Sequence, residues 1–429
     1  MPKFVVEGGY PLRGTIRPAG NKNAALPVLA ATLLTDEPVV LDNIPDIRDV
    51  RTLLELLGVL GVQSEWLGPN KVRVHAAEVR ETEIDPSLAA RIRASILLAG
   101  PMLARHGRML LPLPGGDVIG RRRVDTHFLA LSKLGARVES VGGYRIETHG
   151  LRGADVFLDE PSVTATENAI MAAVLAKGTT RLRNAAAEPH VQDLCHMLNA
   201  MGARISGIGT HILEIEGVER LHGCEYRIGS DHIEVGSFIG LAAVTRGEIL
   251  IEDAAVEHLD STLLAFERLG IRCEIRGRDL FVPADQDREI RMDLGGHIPK
   301  IDDGPWPAFP ADLTSIALVV ATQCRGTILI HEKMFESRMF FADKIIGMGA
   351  RIVLCDPHRA VVVGPSRLHA GVVESPDIRA GMALLIAALG AEGQSHIYNI
   401  GQIERGYERI DERLAALGAR IQRFDSREP

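Results

Sequence analysis

No stretch of the sequence stays apolar long enough to cross a bilayer. The longest charge-free apolar runs, such as Ala380 to Ala391, reach 12 residues, short of the roughly 18–20 that a spanning helix needs. The first residues, MPKFVVEGGY, carry neither an extended apolar segment nor a small-residue cleavage site, so no secretory signal is expected. No CxxC pair occurs, and the five cysteines (Cys195, Cys224, Cys273, Cys324 and Cys355) form an odd set. They read as reduced thiols of a cytoplasmic protein rather than a disulfide framework. The 15 histidines show no HExxH or other paired-ligand spacing, so no catalytic metal is expected. A basic tract is also missing: Lys+Arg 48 against Asp+Glu 56 leaves a formal charge of −8, which argues against a broad nucleic-acid face. What remains is a chain of 429 residues, 46% hydrophobic and 24% charged, the composition of a soluble globular protein of two or three domains.

The chain is organised by a repeat. A helix-ending triplet recurs as Leu60-Gly61-Val62, Leu134-Gly135-Ala136, Met201-Gly202-Ala203, Leu269-Gly270-Ile271, Met348-Gly349-Ala350 and Leu417-Gly418-Ala419. Glycine suits the left-handed position that ends a helix, and the alternating residues after it, such as Ala350-Arg351-Ile352-Val353, suit a half-buried strand. Upstream of each triplet lies an amphipathic helix, and upstream of that a small, wholly apolar one such as LTSIALVVAT or MALLIAALGA. The apolar helix is expected to be buried and the other half exposed. Six such units predict two domains of three, residues 22–229 and residues 230–429, with residues 1–21 added to the second. The leading segment Phe4 to Ile16 is expected to complete that second domain as strand.

Polar departures from a repeat mark places where the fold does not dictate the residue. One level is the start of the buried helix, whose free N–H groups suit an anion: Asn21-Lys22-Asn23, Arg93, Glu167-Asn168, Asp312, and Asp377 with Arg379. Lys22 is adverse to the helix dipole and calls for an anion beside it; it is read as facing ligand rather than supporting the core. The second level is the loop after the strand: Leu113-Pro114-Gly115-Gly116-Asp117-Val118-Ile119-Gly120-Arg121-Arg122-Arg123, with shorter cationic loops at Arg338 and Arg405. Lys22, Arg93, Arg122, Arg338, Arg379 and Arg405 form a cationic set drawn from both halves of an acidic chain. Because guanidinium matches carboxylate and phosphate, the set predicts an enzyme holding a polyanion in a cleft between the halves. Asp117 and Asp312 are the acid/base candidates.

Gly20-Asn21-Lys22-Asn23-Ala24-Ala25-Leu26-Pro27, Pro114-Gly115-Gly116-Asp117-Val118-Ile119-Gly120, Pro307-Ala308-Phe309-Pro310-Ala311-Asp312 and Arg405-Gly406-Tyr407-Glu408-Arg409 resemble the UDP-N-acetylglucosamine 1-carboxyvinyltransferases, a family of enolpyruvyl transferases. The resemblance runs from about Phe4 to Arg423. It implies an α/β fold of two inside-out barrel domains, each of three βαβαββ repeats. The implied reaction moves the enolpyruvyl group of phosphoenolpyruvate to the 3-hydroxyl of UDP-N-acetylglucosamine with release of phosphate, the first committed step of cytoplasmic peptidoglycan synthesis, without a cofactor. By position, Lys22, Asn23, Arg122, Arg338, Arg379 and Arg405 match phosphoenolpyruvate contacts. Arg93, Arg122, Arg123, Val124, Asp125, Thr126, Ser162, Val163, Asp312 and Met334 match nucleotide-sugar contacts. Lys22, Asp117, Asp312 and Arg405 match catalytic positions, Asp312 as the base toward the sugar hydroxyl. No nucleic acid or membrane partner is implied.

Three positions depart from the family. Asp117 stands where most members have a reactive cysteine alkylated by fosfomycin, so insensitivity to that epoxide is expected. Arg123 replaces a proline, and Thr164 replaces a glycine. The last two leave open a relative acting on another nucleotide or sugar, and a non-catalytic repeat scaffold is the remaining alternative.

Overall fold

The computed structural model describes residues 2–116, 119–120 and 122–425. The chain forms two compact units. The N-terminal unit takes Gly20 onward to Gly229; the C-terminal unit takes the chain start to Ala19 and everything from Ser230, together with Ile119 and Gly120.

Each unit is built on three inner helices that are mostly or wholly buried. In the C-terminal unit these are His232–Thr245, Thr314–Ala321 and Ile378–Gly390. In the N-terminal unit they are Lys22–Ala31, Ala99–His106 and Val163–Ala173. All 14 residues of His232–Thr245 are buried, and each large side chain so enclosed contributes about 1.5–3 kcal/mol. The outer helices keep the amphipathic period: Arg48–Val59 buries Val50, Leu53 and Leu57 and exposes Arg51 and Glu55. Gly61, Gly135, Gly202, Gly270, Gly349 and Gly418 all have φ between 73° and 103°, the left-handed geometry that the repeated triplet requires.

Six sheets enclose the inner helices, three per unit. Within a repeat, the strand before the inner helix runs parallel to the strand after it, and a hairpin adds two antiparallel strands. Lys300–Asp302 thus lies along Gly326–His331, which pairs with Arg359–Gly364 and through it Arg351–Leu354. In the three-stranded sheet Arg108–Leu111, Tyr144–Glu147, Arg137–Ser140, a single parallel bridge from Glu83 to Leu110 replaces the missing strand. Among the described residues the sheets remain separate, so each unit is a helical core clad by sheets rather than a closed hydrogen-bonded barrel. The fold class expected from the sequence holds in that form.

At the two chain crossings the parallel strands are exchanged. Arg13–Ile16 leads into the first inner helix but pairs with Glu248–Ile251 of the C-terminal unit. Glu225–Arg227 leads into the fourth inner helix but pairs with Val39–Asp42 of the N-terminal unit. Lys3–Gly8 fills the C-terminal unit as a central strand between Gly393–Tyr398 and Arg420–Phe424. The crossings are pinned by backbone bonds, Asn21 N–H to Gly229 O at 2.9 Å and Asp231 N–H to Ala19 O at 2.9 Å.

Gly20 has no room for a side chain, since a Cβ there would stand 1.6 Å from the Asn43 carbonyl oxygen. Gly20→Ala is therefore expected to displace the crossing and cost about 3 kcal/mol, read as a lowered urea midpoint. An unchanged midpoint would show that the crossing has slack.

Candidate active site

In the N-terminal unit the candidate residues sit at inner-helix starts and on the segment that leads into Asp125–Lys133. Asn21 caps the first inner helix, its Oδ1 accepting from Asn23 N–H at 2.9 Å and Ala24 N–H at 3.3 Å. Lys22 begins that helix, and its ammonium lies 2.8 Å from Asp49 Oδ2 with both side chains more than nine-tenths buried. The anion that Lys22 calls for is thus supplied by the protein. This corrects the reading of Lys22 as a residue that leaves the core alone.

Arg93 donates through Nη2 to the Arg122 carbonyl at 2.9 Å and the Arg123 carbonyl at 3.0 Å. Burial, then the neighbouring Arg122 guanidinium, pushes Arg93 down to about 10. Two crowded cations in a half-buried setting gain from an added anion. Gly116 fits against this pair because a Cβ would stand 2.8 Å from Arg93 Cβ and 3.5 Å from Arg122 Nη1. Arg123 turns away to Asp125 at 3.2 Å and Asp159 at 3.3 Å, and Thr126 Oγ1 donates to Asp159 Oδ1 at 2.7 Å. Ser162 caps the third inner helix through Ala165 N–H at 3.4 Å, and Val163 is its first residue. Asp117 lies outside the described residues.

Asn168 joins these parts in a way the sequence does not announce. Its side chain accepts from Gly100 N–H at 2.7 Å and donates to Ile96 O at 2.8 Å. It therefore stands in place of the helical bond those two groups would make. The expected inner helix accordingly opens as the tight 3-10 turn Arg93–Leu98 before Ala99–His106, as an inserted side chain requires. Asn168 also donates to His127 Nδ1 at 2.8 Å, which leaves Nε2–H to meet Thr164 Oγ1 at 3.0 Å. Burial and Arg93 push His127 down to about 3, so the ring is neutral at physiological pH.

The C-terminal unit brings three of the candidate residues together. Asp312 Oδ1 accepts from Arg338 Nη2 at 2.5 Å, and Oδ2 accepts from Arg379 Nε at 3.0 Å. Asp312 sits in the 3-10 turn Ala311–Leu313 that opens an inner helix. Arg379 is the second residue of another, whose cap Asp377 accepts from Arg379 N–H at 2.8 Å and Ala380 N–H at 2.9 Å. Arg379 packs over the fully buried Tyr407 ring at 5.4 Å, and Arg338 over Phe335 at 4.9 Å. Burial opposes the charge of both guanidiniums; Asp312 and Asp377 at Arg338, and Tyr407, Asp312 and Asp231 at Arg379, help to offset it, and both are raised above the usual arginine value. Two donors of this cluster, Arg338 Nε and Arg379 Nη1, are buried and reach no protein acceptor. Buried donors of this kind are costly unless an acceptor joins them, so the cluster is chemically suited to an anion. Arg405 lies on the turn Ile403–Arg405 and donates to Gln402 Oε1 at 2.9 Å; Met334 is exposed. Among the described residues no group of three or more His, Cys, Asp or Glu is placed to hold a metal.

Lys22→Ala removes the ammonium that faces the buried Asp49 carboxylate, so it is expected to destabilise the protein by about 3 kcal/mol. Lys22→Met combined with Asp49→Leu should recover most of that loss in a thermal melt. Equal melting of Lys22→Ala and wild type would remove the pair from the structural account.

The family described as EPSP synthase (3-phosphoshikimate 1-carboxyvinyltransferase) matches residues 6–414. A UDP-N-acetylglucosamine 1-carboxyvinyltransferase of Bradyrhizobium diazoefficiens is 61% identical over 425 residues, 99% of each chain. One of Treponema denticola is 58% identical over 98% of this chain and 99% of its own. Among solved structures, the enolpyruvyl transferase NikO of Streptomyces tendae superposes with a TM-score of 0.86 at 24% identity, over 98% of each chain. An EPSP synthase of Acinetobacter baumannii gives a TM-score of 0.76 at 16% identity, over 99% of this chain and 100% of its own; these two likenesses concern the fold. The chain belongs to the EPSP synthase family of enolpyruvyl transferases and, within it, to the UDP-N-acetylglucosamine 1-carboxyvinyltransferases.

Proposed function

We propose that this chain transfers the enolpyruvyl group of phosphoenolpyruvate to the 3-hydroxyl of UDP-N-acetylglucosamine, releasing phosphate, as a cytoplasmic step of peptidoglycan synthesis. The observation that carries the reading is Asp312 held between Arg338 and Arg379, a carboxylate flanked by cations with unused donors, in a chain 61% identical over its length to a relative of that name. In this reading Asp312 accepts the proton of the sugar hydroxyl as the oxygen bonds to C2 of phosphoenolpyruvate. An acid, assigned to Asp117, delivers a proton to the methylene carbon. The tetrahedral intermediate then loses phosphate from C2 and a proton from the new methyl group. Lys22, Asn23, Arg122, Arg338, Arg379 and Arg405 are assigned to phosphoenolpyruvate. Arg93, the segment Arg122 to Thr126, Ser162, Val163 and Met334 are assigned to the nucleotide sugar.

Two departures from the family are satisfied inside the N-terminal unit, which supports the usual acceptor over a different nucleotide or sugar. Arg123 is engaged by Asp125 and Asp159, and the Thr164 hydroxyl by His127. Neither side chain calls for a new ligand group.

Phosphate release, measured with phosphoenolpyruvate and a panel of nucleotide sugars, is expected with UDP-N-acetylglucosamine above all others. Asp312→Asn should keep nucleotide-sugar binding and lose at least about 100-fold in turnover, the scale of a general base. Normal turnover in that variant would sink the base assignment.

A second outcome concerns the loop. The wild type should resist covalent inactivation by fosfomycin, because a carboxylate attacks the epoxide poorly. Asp117→Cys should become sensitive with time-dependent loss of activity. Inactivation of the wild type by adduct formation would overturn the assignment of Asp117.

A further inference from the structure

Beneath Arg338 lies a pair of carboxyls that no assigned role uses. Glu332 and Asp303 are buried, at 0% and 1% exposure. Asp303 follows the strand Lys300–Asp302, and its Oδ1 accepts from Lys333 N–H at 2.5 Å. Glu332 follows the strand Gly326–His331, and its Oε1 accepts from Phe335 N–H at 3.2 Å. Between them the two carboxyls hold two backbone donors of the turn that runs from Glu332 to Arg338 and carries Met334. The remaining oxygens, Asp303 Oδ2 and Glu332 Oε2, are buried and meet no donor. The parallel pairing of Lys300–Asp302 with Gly326–His331 continues through Asp303 N–H to the His331 carbonyl at 3.3 Å, which sets Asp303 beside Glu332. Two adjacent carboxylates in a dry site cannot both stay ionised; one proton placed between them satisfies both oxygens at once.

We propose that Glu332 is a positioning residue: with Asp303 it shares one proton that fixes the turn Glu332 to Arg338 and leaves the Arg338 Nε donor for an anionic substrate. This deepens the function proposed above and rests on it for the identity of the anion. Burial, then Asp303, pushes Glu332 up to about 9, while Arg338 and the Thr314 hydroxyl draw it back. The turn itself also carries Lys333, whose ammonium pairs with Asp302 at 2.7 Å, and Glu336; facing it are His358, whose Nδ1 lies 2.7 Å from the Glu332 carbonyl, and Asp312, which holds Arg338 from the far side. If Glu332 ionised, its charge would compete with substrate for Arg338 and repel Asp303, loosening the turn from beneath.

The sign of the linkage follows. The folded state keeps its proton up to about pH 9, whereas an unfolded glutamate loses it near the model value of 4.5. Glu332 therefore weakens stability progressively as pH rises between those values. Glu332→Gln, an amide that donates permanently, should abolish this decline. Its urea midpoint is expected to gain on that of wild type from pH 5 to pH 9.

The kinetic arm uses the same variants. Glu332→Gln should keep the neutral-pH KM for phosphoenolpyruvate within about threefold of wild type, and Glu332→Leu should raise it about tenfold or more, the scale of one lost buried hydrogen bond to a charged group. Above pH 9 the wild-type KM should climb while that of Glu332→Gln does not. Parallel midpoints of wild type and Glu332→Gln across pH 5 to 9 would overturn the shared proton. A Gln variant as impaired as the Leu variant would overturn the positioning role. If wild type itself released no phosphate with any acceptor, the proposed function would fail, and the midpoint series would still decide whether the proton is there. Should Glu332→Leu not fold, the Gln variant and its pH profile carry the test alone.

Discussion

A helix that is apolar on every side must be enclosed on every side, and the architecture of both units follows from that constraint. His232–Thr245 and Ile378–Leu389 bury every residue. Helix packs on helix at close range where glycine permits it: a Cβ on Gly236 or Gly240 would stand 2.5 Å from Leu313 Cδ1 or 2.4 Å from Ile316 Cγ2. The sheets close the remaining sides, three to a unit. Such a core can offer chemistry where its helices begin, since the first N–H groups have no partner within the helix, and in the loops between its elements. The caps Asn21, Ser162, Asp231 and Asp377, and the charged residues beside them, occupy those starts.

This is also why much of the fold was legible in the sequence. Periodicity and the glycine triplet are local signals, and the six left-handed glycines fall where they were expected. The strand character of Phe4 to Ile16 was equally local; Lys3–Gly8 and Arg13–Ile16 are strands. What could not be read were pairings across sequence. Asp49 lies on an ordinary amphipathic helix and looks like a first-turn acid, yet it is the counter-ion of Lys22. Asn168 reads as a polar residue near a helix start, and its insertion between Gly100 and Ile96 reaches across 68 and 72 positions. Glu332 and Asp303 carry no pattern at all, because a carboxyl after a strand is ordinarily a solvated one. The cationic set was legible because it broke a repeat. Its division into structural and ligand-suited members was not, since that depends on which donors the folded chain leaves over.

That division can be made by counting partners. Arg413 and Glu234 form a pair in which Glu234 also accepts from Ala19 N–H at 2.6 Å, and Lys22 meets the buried Asp49 carboxylate. Pairs of this kind hold structure. The cluster at Asp312 differs, because two guanidiniums share one carboxylate and two of their donors remain. An incoming hydroxyl must then share a carboxylate oxygen with an arginine or displace it. In the proposed reaction an incoming phosphate or carboxylate would do the reverse, drawing the arginines toward itself and leaving the Asp312 oxygens to the sugar. Binding of the anion and readiness of the base would then be two sides of one exchange of partners.

The same count shows why the protonation of buried neighbours matters. His232, adjacent to this cluster, is pushed down to about 3 by burial, then by His258 and Arg379, so it adds no charge at neutral pH. Asp377 spends its oxygen on the helix N–H groups of Arg379 and Ala380. Glu332 is pushed up to about 9 and adds none either. Around the two guanidiniums stand Asp312 and Asp377 at Arg338, and Asp312 and Asp231 at Arg379, all of which favour the charged arginine. An ionised Glu332 would add a further negative charge beside Arg338, and a buried site crowded with carboxylates has less to offer an anion that must give up its hydration to enter. Keeping Glu332 protonated spares Arg338 a competing anion, and does so without the repulsion that a third guanidinium would bring.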